Sequence, residues 1–231
     1  MYIPAHFDQT DSSQISALIE AFPLATLVVN DGDGLYANHI PMVLVKSDTG
    51  IPQKLMAHVP RSNPLAQHGR VARSCLAVFH GPQGYISPSN YATKAEHGRV
   101  VPTWNYAVVH IHGSLTLIDS SDWIRTQLEL LVRQMEESMP SPWHVDDAPA
   151  DFTDRLTEAL VGLEITVEKT EAKWKLSQNQ PAANKASLLA AFQPGSESDA
   201  RTGRTASSVA IIGQRKQLPT LADLMTDVLG S

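Results

Sequence analysis

The chain has 231 residues, 42% of them hydrophobic and 18% charged, which fits a globular domain with a sizeable core. Its 18 basic against 24 acidic residues give a net charge of −6, which argues against a protein that coats a phosphate backbone with a broad basic surface. No run of about 18 or more apolar residues exists to form a transmembrane helix. Met1-Tyr-Ile-Pro-Ala-His-Phe7 lacks the basic and apolar regions of a secretory signal, and the single Cys75 has no internal disulfide partner. A cytoplasmic protein is expected.

The first predicted element is a short helix over Ser13 to Ala21, stopped before Pro23. Leu24 to Val29 reads as a strand, Asn30-Asp-Gly-Asp-Gly34 as a hairpin loop, and Leu35 to Val45 as the returning strand. Lys54 to Val59 is a third strand. Asn63-Pro64 then opens a helix, since Asn caps well and Pro suits the first helical position. Ser74 to Phe79 is a fourth strand, ending at a turn over His80-Gly-Pro-Gln-Gly84. Val101 to Ile118 forms one long strand, which Gly113 can bend. Asp122 to Glu137 carries a helical stripe of Ile124, Leu128, Leu131, Val132 and Met135, with Ser120 or Ser121 as cap. Asp151 to Leu160 is a further helix, with Phe152, Leu156 and Leu160 on one side. Val161 to Glu168 alternates strictly as a half-buried strand. After Pro194 a Gly, Ser and charged stretch reads as a linker, followed by the amphipathic stripe Leu221, Leu224, Met225, Val228 and Leu229. Six strands with few crossover helices predict a mainly β protein with peripheral helices, an antiparallel barrel or sandwich. The expected organisation is one domain over residues 1–193 and a linker with a short helix over 194–231.

The strand Val101 to Gly113 is the most heavily loaded segment. Period-2 alternation places Trp104, Tyr106, Val108, His110 and His112 on one face and Thr103, Asn105, Ala107, Val109 and Ile111 on the other. Two aromatics and two imidazoles on one face mark it as the wall of a binding site or a partner surface. His110 and His112 would suit a metal only with a third and fourth ligand from neighbouring strands. Asp119 is the first acid to follow them, so no metal is assigned.

Arg61 and Ser62, just before the helix opened by Asn63, offer a guanidinium fork and a hydroxyl suited to a phosphate monoester. The free N–H groups of a helix start would add to that seat. The structural alternative is a capped helix with Arg61 in a surface ion pair. Tyr85-Ile-Ser-Pro-Ser-Asn-Tyr91 offers hydroxyls and stacking rings, or simply a stiff loop with local turns. Lys173-Trp-Lys-Leu-Ser-Gln-Asn179 pairs two cations with an indole, for an anionic ligand or as a solvated edge. Cys75 falls in the apolar set of its strand and reads as a buried hydrophobe.

Taken in order, these segments resemble the PaiB family, described as FMN-binding negative transcriptional regulators. The resemblance rests on Met1-Tyr-Ile-Pro-Ala-His-Phe7, Phe22-Pro-Leu-Ala-Thr-Leu27, Asn38-His-Ile-Pro41 and His58-Val-Pro-Arg-Ser-Asn-Pro64. It continues through Gly81-Pro-Gln-Gly-Tyr-Ile-Ser-Pro-Ser89, Val101 to Gly113, Val161-Gly-Leu-Glu-Ile165 and Lys173-Trp-Lys-Leu-Ser-Gln-Asn179. Pro60 and Asn90 depart from the pattern, which has Ala and Trp there. The resemblance implies a split β-barrel like that of the pyridoxamine-phosphate oxidases, a homodimer, and FMN in clefts between subunits. It implies the FMN phosphate near Arg61, Ser62 and Asn63, with His58 and His39 nearby. Thr103, Trp104 and Asn105 become candidates for the ring or ribityl contacts, from the second subunit. No catalytic residue follows from it.

No helix-turn-helix signature accompanies the acidic balance, so direct DNA binding is not expected and regulation would run through a partner, ligand or redox state. The alternatives are a flavin-dependent oxidoreductase, a haem- or metal-binding split barrel using His110 or His112, and a dimer in which the aromatic strand is only interface.

Overall fold

Alternation in Leu24–Asn30 (β1) buries Ala25, Leu27 and Val29 and leaves the residues between them less covered, as a sheet with one packed face requires. A computed structural model describes residues 1–30, 34–67, 73–192 and 219–230 of this chain. In it β1 pairs antiparallel with β2 (Leu35–Pro41), from Leu24 opposite Pro41 to Asn30 opposite Leu35, as the hairpin reading requires. The expected single return strand over Leu35 to Val45 is two strands. It breaks at Met42, after which β3 (Val43–Lys46) pairs with β4 (Pro52–Pro60) instead of β1. A change of partner, invisible in a local pattern, is the reason.

Three long strands complete the sheet: β5 (Arg73–Ile86), β6 (Thr103–Ile118) and β7 (Leu160–Lys175). The order across the sheet is β2-β1-β5-β6-β7-β4-β3, seven strands among the described residues where six are expected. β5 runs straight through the predicted turn at His80 to Gly84. Neither Gly81 nor Gly84 adopts a positive φ, and Pro82 fixes an angle compatible with extended chain, so nothing there reverses direction.

The helices follow their caps. In α1 (Ser12–Ala21) Asp11 accepts from the Ser13 amide at 2.8 Å, and Ile15, Leu18 and Ile19 are buried. α2 (Pro64–Gln67) and α3 (Lys94–His97) are single turns. α4 (Ser121–Glu136) is capped by Ser120 and buries Ile124 together with Gln127, a polar residue on the packed face. α5 (Ala150–Glu158) departs from its predicted apolar side, since Phe152 and Leu156 are both exposed. α6 (Ala182–Ala191) was not expected. α7 (Leu221–Leu229) matches the predicted stripe, burying Leu221, Leu224 and Met225 behind a Thr220–Asp223 capping box.

The chain divides into two compact units. A central unit comprises Thr10–His80 and Val109–Glu171, and a terminal unit comprises Met1–Gln9, Gly81–Val108 and Ala172–Ser231. α7 belongs to the terminal unit, and the linker expected from residue 194 to 218 lies outside the described residues. The central unit's core is built on Leu27, Leu55, Phe79, Ile111, Leu115, Leu163 and Ile165. Gly113 is required there, because a Cβ at that position would lie 2.2 Å from the Thr166 carbonyl oxygen.

Candidate functional site

In the central unit β4 ends at Pro60 and hands over to Arg61-Ser62-Asn63. The Asn63 amide N–H closes onto the Pro60 carbonyl at 2.9 Å, and Asn63 Oδ1 accepts from the Leu65 amide at 2.9 Å. Asn63 therefore caps α2 as predicted, while Leu65 anchors the turn in the core. Its other group, Nδ2, donates to Asn38 Oδ1 at 3.0 Å, tying the corner to β2. The Asn38 Nδ2 on the same bridge is buried without a partner among the described residues.

Arg61 is half exposed and already oriented. Its Nε donates to the Glu158 carbonyl at 2.6 Å and one terminal nitrogen to Asp119 at 2.5 Å. The surface ion pair of the structural alternative thus exists, and it fixes the direction of the fork. Ser62 beside it is exposed. Arg73, at the start of β5, donates from Nη2 to the Leu65 carbonyl at 3.1 Å, while its Nε and Nη1 are buried without a partner among the described residues. Buried guanidinium donors are costly unless an acceptor answers them. The sequence reading missed Arg73, which lies outside every motif that marked the corner.

His58 Nδ1 is 2.7 Å from Gln127 Oε1, and since a carbonyl oxygen only accepts, Nδ1 carries the hydrogen. Gln127 is fully buried, and its Nε2 has no partner among the described residues. His39 is exposed, with Nδ1 3.1 Å from Thr26 Oγ1. His39, His58, Arg61, Ser62 and Asn63 all belong to the central unit. Thr103, Trp104 and Asn105 belong to the terminal unit.

There, Lys175 donates to Thr103 Oγ1 at 2.6 Å and to the Trp104 carbonyl, and burial pushes its ammonium below the ordinary lysine value. Trp104 is 52% exposed and meets Tyr85 edge to face at 6.0 Å, so this ring is open to a ligand. Asn105 is not. It has no exposed surface, its Oδ1 accepts from Ser177 Oγ at 3.0 Å, and its Nδ2 donates to the Met225 sulfur at 3.6 Å. Each end of that amide has a partner inside the terminal unit, and none of its surface is exposed.

The remaining motifs divide the same way. Lys173 is buried, donates to the Tyr2 carbonyl at 3.2 Å, and lies over the rings of Tyr106, Tyr2 and Phe7 at 5.5, 5.8 and 5.9 Å. Its charge is enclosed by aromatic faces and not presented to an anion. In the Tyr85 to Tyr91 segment Ser87 caps a short 3-10 turn and Ser89 accepts from Lys94, the local-turn reading. Cys75 is buried, donates to the Gly113 carbonyl at 3.3 Å, and is pushed up to about 12 by burial, so it is a protonated packing residue.

His110 and His112 are both half-buried, and the structure adds a third group that sequence spacing did not reveal. Glu171, on the neighbouring strand β7, brings Oε2 to 2.9 Å from His112 Nε2. Burial pushes the His110 imidazole below its ordinary value. Glu171 is 59 residues from His112, and only strand pairing brings them together.

The family described as "Putative FMN-binding domain" matches residues 1–169. The Saccharomyces cerevisiae protein YKL070W is 35% identical over 159 residues, covering 61% of this chain and 93% of its own. The Bacillus subtilis protease synthase and sporulation protein PAI 2 is 28% identical over 180 residues, covering 78% and 83%. Among solved structures, the FAD and haem binding protein of Mycobacterium smegmatis superposes with a TM-score of 0.56 at 15% identity, over 73% of each chain. The flavocytochrome Anf3 of Azotobacter vinelandii does so with a TM-score of 0.50 at 14% identity, over 75% of this chain and 72% of that one. At such identities the likeness is one of fold, and the fold is the split barrel expected from the sequence. No described helix is long and apolar enough to cross a membrane. A match over residues 1–169, with seven of the eight PaiB-type motifs in order along it, makes this chain a member of the FMN-binding PaiB-like family, with FMN as its cofactor.

Proposed function

We propose that the corner at the end of β4 holds the FMN phosphate, with Arg61, Ser62 and Asn63 as its first contacts and Arg73 as a second cation. The observation that carries this reading is Arg73, beside α2, whose buried Nε and Nη1 have no partner among the described residues. A phosphate is the group whose charge and acceptor geometry answer such a fork. Arg61 is held in place by Asp119 and the Glu158 carbonyl, which orients its fork in advance. α2 is a single turn whose first amide is already capped, so the guanidinium groups outweigh any helix-end effect.

The proposed assembly is a homodimer in which the exposed Trp104, with Thr103, reaches the flavin of a second copy. When bound, FMN supplies electron transfer at its ring, and the protein supplies position and surroundings. His58, fixed by Gln127, keeps its Nε2 as an acceptor when the ring is neutral, a group suited to orient a polar edge. Action on transcription would be indirect, in keeping with the net charge of −6.

The test is the absorption spectrum of the purified protein, followed by FMN titration of the apo form. Arg61→Ala is expected to weaken FMN binding by about 1.5–3 kcal/mol, the worth of a charged hydrogen bond. Unchanged affinity in both Arg61→Ala and Arg73→Ala would sink the phosphate assignment. NAD(P)H consumption by the yellow protein would select an oxidoreductase over a regulator.

A further inference from the structure

We propose that His110, His112 and Glu171 form a binding site for a divalent transition-metal ion of the zinc class. The two histidines occupy positions i and i+2 of β6, so both imidazoles leave the same face of the strand. β7 lies next to β6 in the sheet and delivers Glu171 to them. One ligand atom from each residue falls within 4.8 Å of the other two.

The spacing fits an ion after small side-chain adjustments. With metal–ligand bonds of about 2.0–2.1 Å, tetrahedral neighbours lie about 3.3 Å apart. The His112 Nε2 to Glu171 Oε2 edge is already 2.9 Å, and a His110 nitrogen lies within 4.8 Å of both. Lys169 donates to Glu171 Oε1 at 2.9 Å, while Oε2 lies 2.9 Å from His112 Nε2. Such outer partners fix the direction of a ligating carboxylate. Two imidazoles and one carboxylate are a borderline donor set, which selects zinc, cobalt or nickel over magnesium or calcium. Three protein ligands leave at least one position for water or an anion. His80, on β5 beside β6, stands within electrostatic range of His110.

The burial pattern supports a ligand role over a packing role. His112 is 39% exposed and Glu171 12%, so the donors are reachable from solvent while the carboxylate is partly shielded. This inference rests on none of the residues proposed for the flavin, and its test needs no flavin.

Untagged full-length protein, stripped with a chelator and dialysed, is titrated with Zn²⁺ by calorimetry and with Co²⁺ by visible absorption. The expected result is uptake of one equivalent of each, cobalt bands of low coordination number, and no uptake of Mg²⁺. His112→Ala and Glu171→Gln are each expected to lower Zn²⁺ affinity by more than the roughly 10–100-fold that losing an outer partner costs. His144→Ala, outside the cluster, leaves affinity unchanged. His112→Gln, which keeps side-chain bulk, serves if the alanine variant loses its wild-type circular dichroism. Absence of stoichiometric uptake overturns the proposal, and so does uptake that survives both His112→Gln and Glu171→Gln.

Discussion

The start and the middle of β6 both carry polar residues and use them in opposite ways. At the Thr103 end, Asn105 has both amide groups engaged and no exposure. In the middle, His110 and His112 are half-buried, with a ligand atom of each within 4.8 Å of one on Glu171. Polar side chains in a strand are therefore not equivalent signs of function. What separates the two cases is exposure. A buried amide with two partners specifies packing, whereas half-buried ligand atoms gathered within 4.8 Å of one another stay within reach of an ion.

The sharpest way to break this contrast is to alter the buried face in each region. Gly113→Ala puts a Cβ 2.2 Å from a backbone oxygen, so it should cost about 3 kcal/mol of stability in a urea titration. A near-neutral result would mean that β6 and β7 are not so closely paired. Asn105→Ala should cost about 2–3 kcal/mol, because it opens a cavity and strands the Ser177 hydroxyl. If it instead changed FMN affinity with stability intact, Asn105 would return to the cofactor set.

Cys75 tests the same face through pH. Its folded value, about 12, stands above the ordinary 9.0, so the fold favours the thiol. The contribution is complete below about pH 9 and is lost as pH rises toward 12. A thiol reagent should thus leave the native protein unmodified near neutral pH and react once urea unfolds it. Rapid labelling of the folded chain would show that the strand opens. The smallest effect is expected from His112→Ala, within about 1 kcal/mol, since a part-exposed side-chain hydrogen bond contributes little. A large loss there would move His112 to the structural side of the comparison.

Much of the fold was legible because local pattern and tertiary environment agree. β1, α1, α4 and the alternation of β6 follow from spacing and caps alone, as does the Asn63 cap of α2. Other features depended on facts that no local window holds. The break at Met42 comes from a change of strand partner, and the continuation of β5 past His80 from glycines that keep ordinary angles. α6 escaped notice because its fully buried positions are only Asn184 and Leu188. Gln127, Arg73 and Glu171 were missed for one reason: their significance lies in which atoms of other strands or helices they meet or fail to meet.

The helix Leu221–Leu229 has a consequence for how the chain can vary. The family match stops at residue 169, yet Met225 contacts Asn105 and Leu221 packs beside Gly84. The last turns of the chain are thereby bound to two positions more than a hundred residues upstream. A descendant that lost this helix would expose an amide built for the interior. Loss of the C-terminal helix and replacement of Asn105 should therefore travel together in evolution.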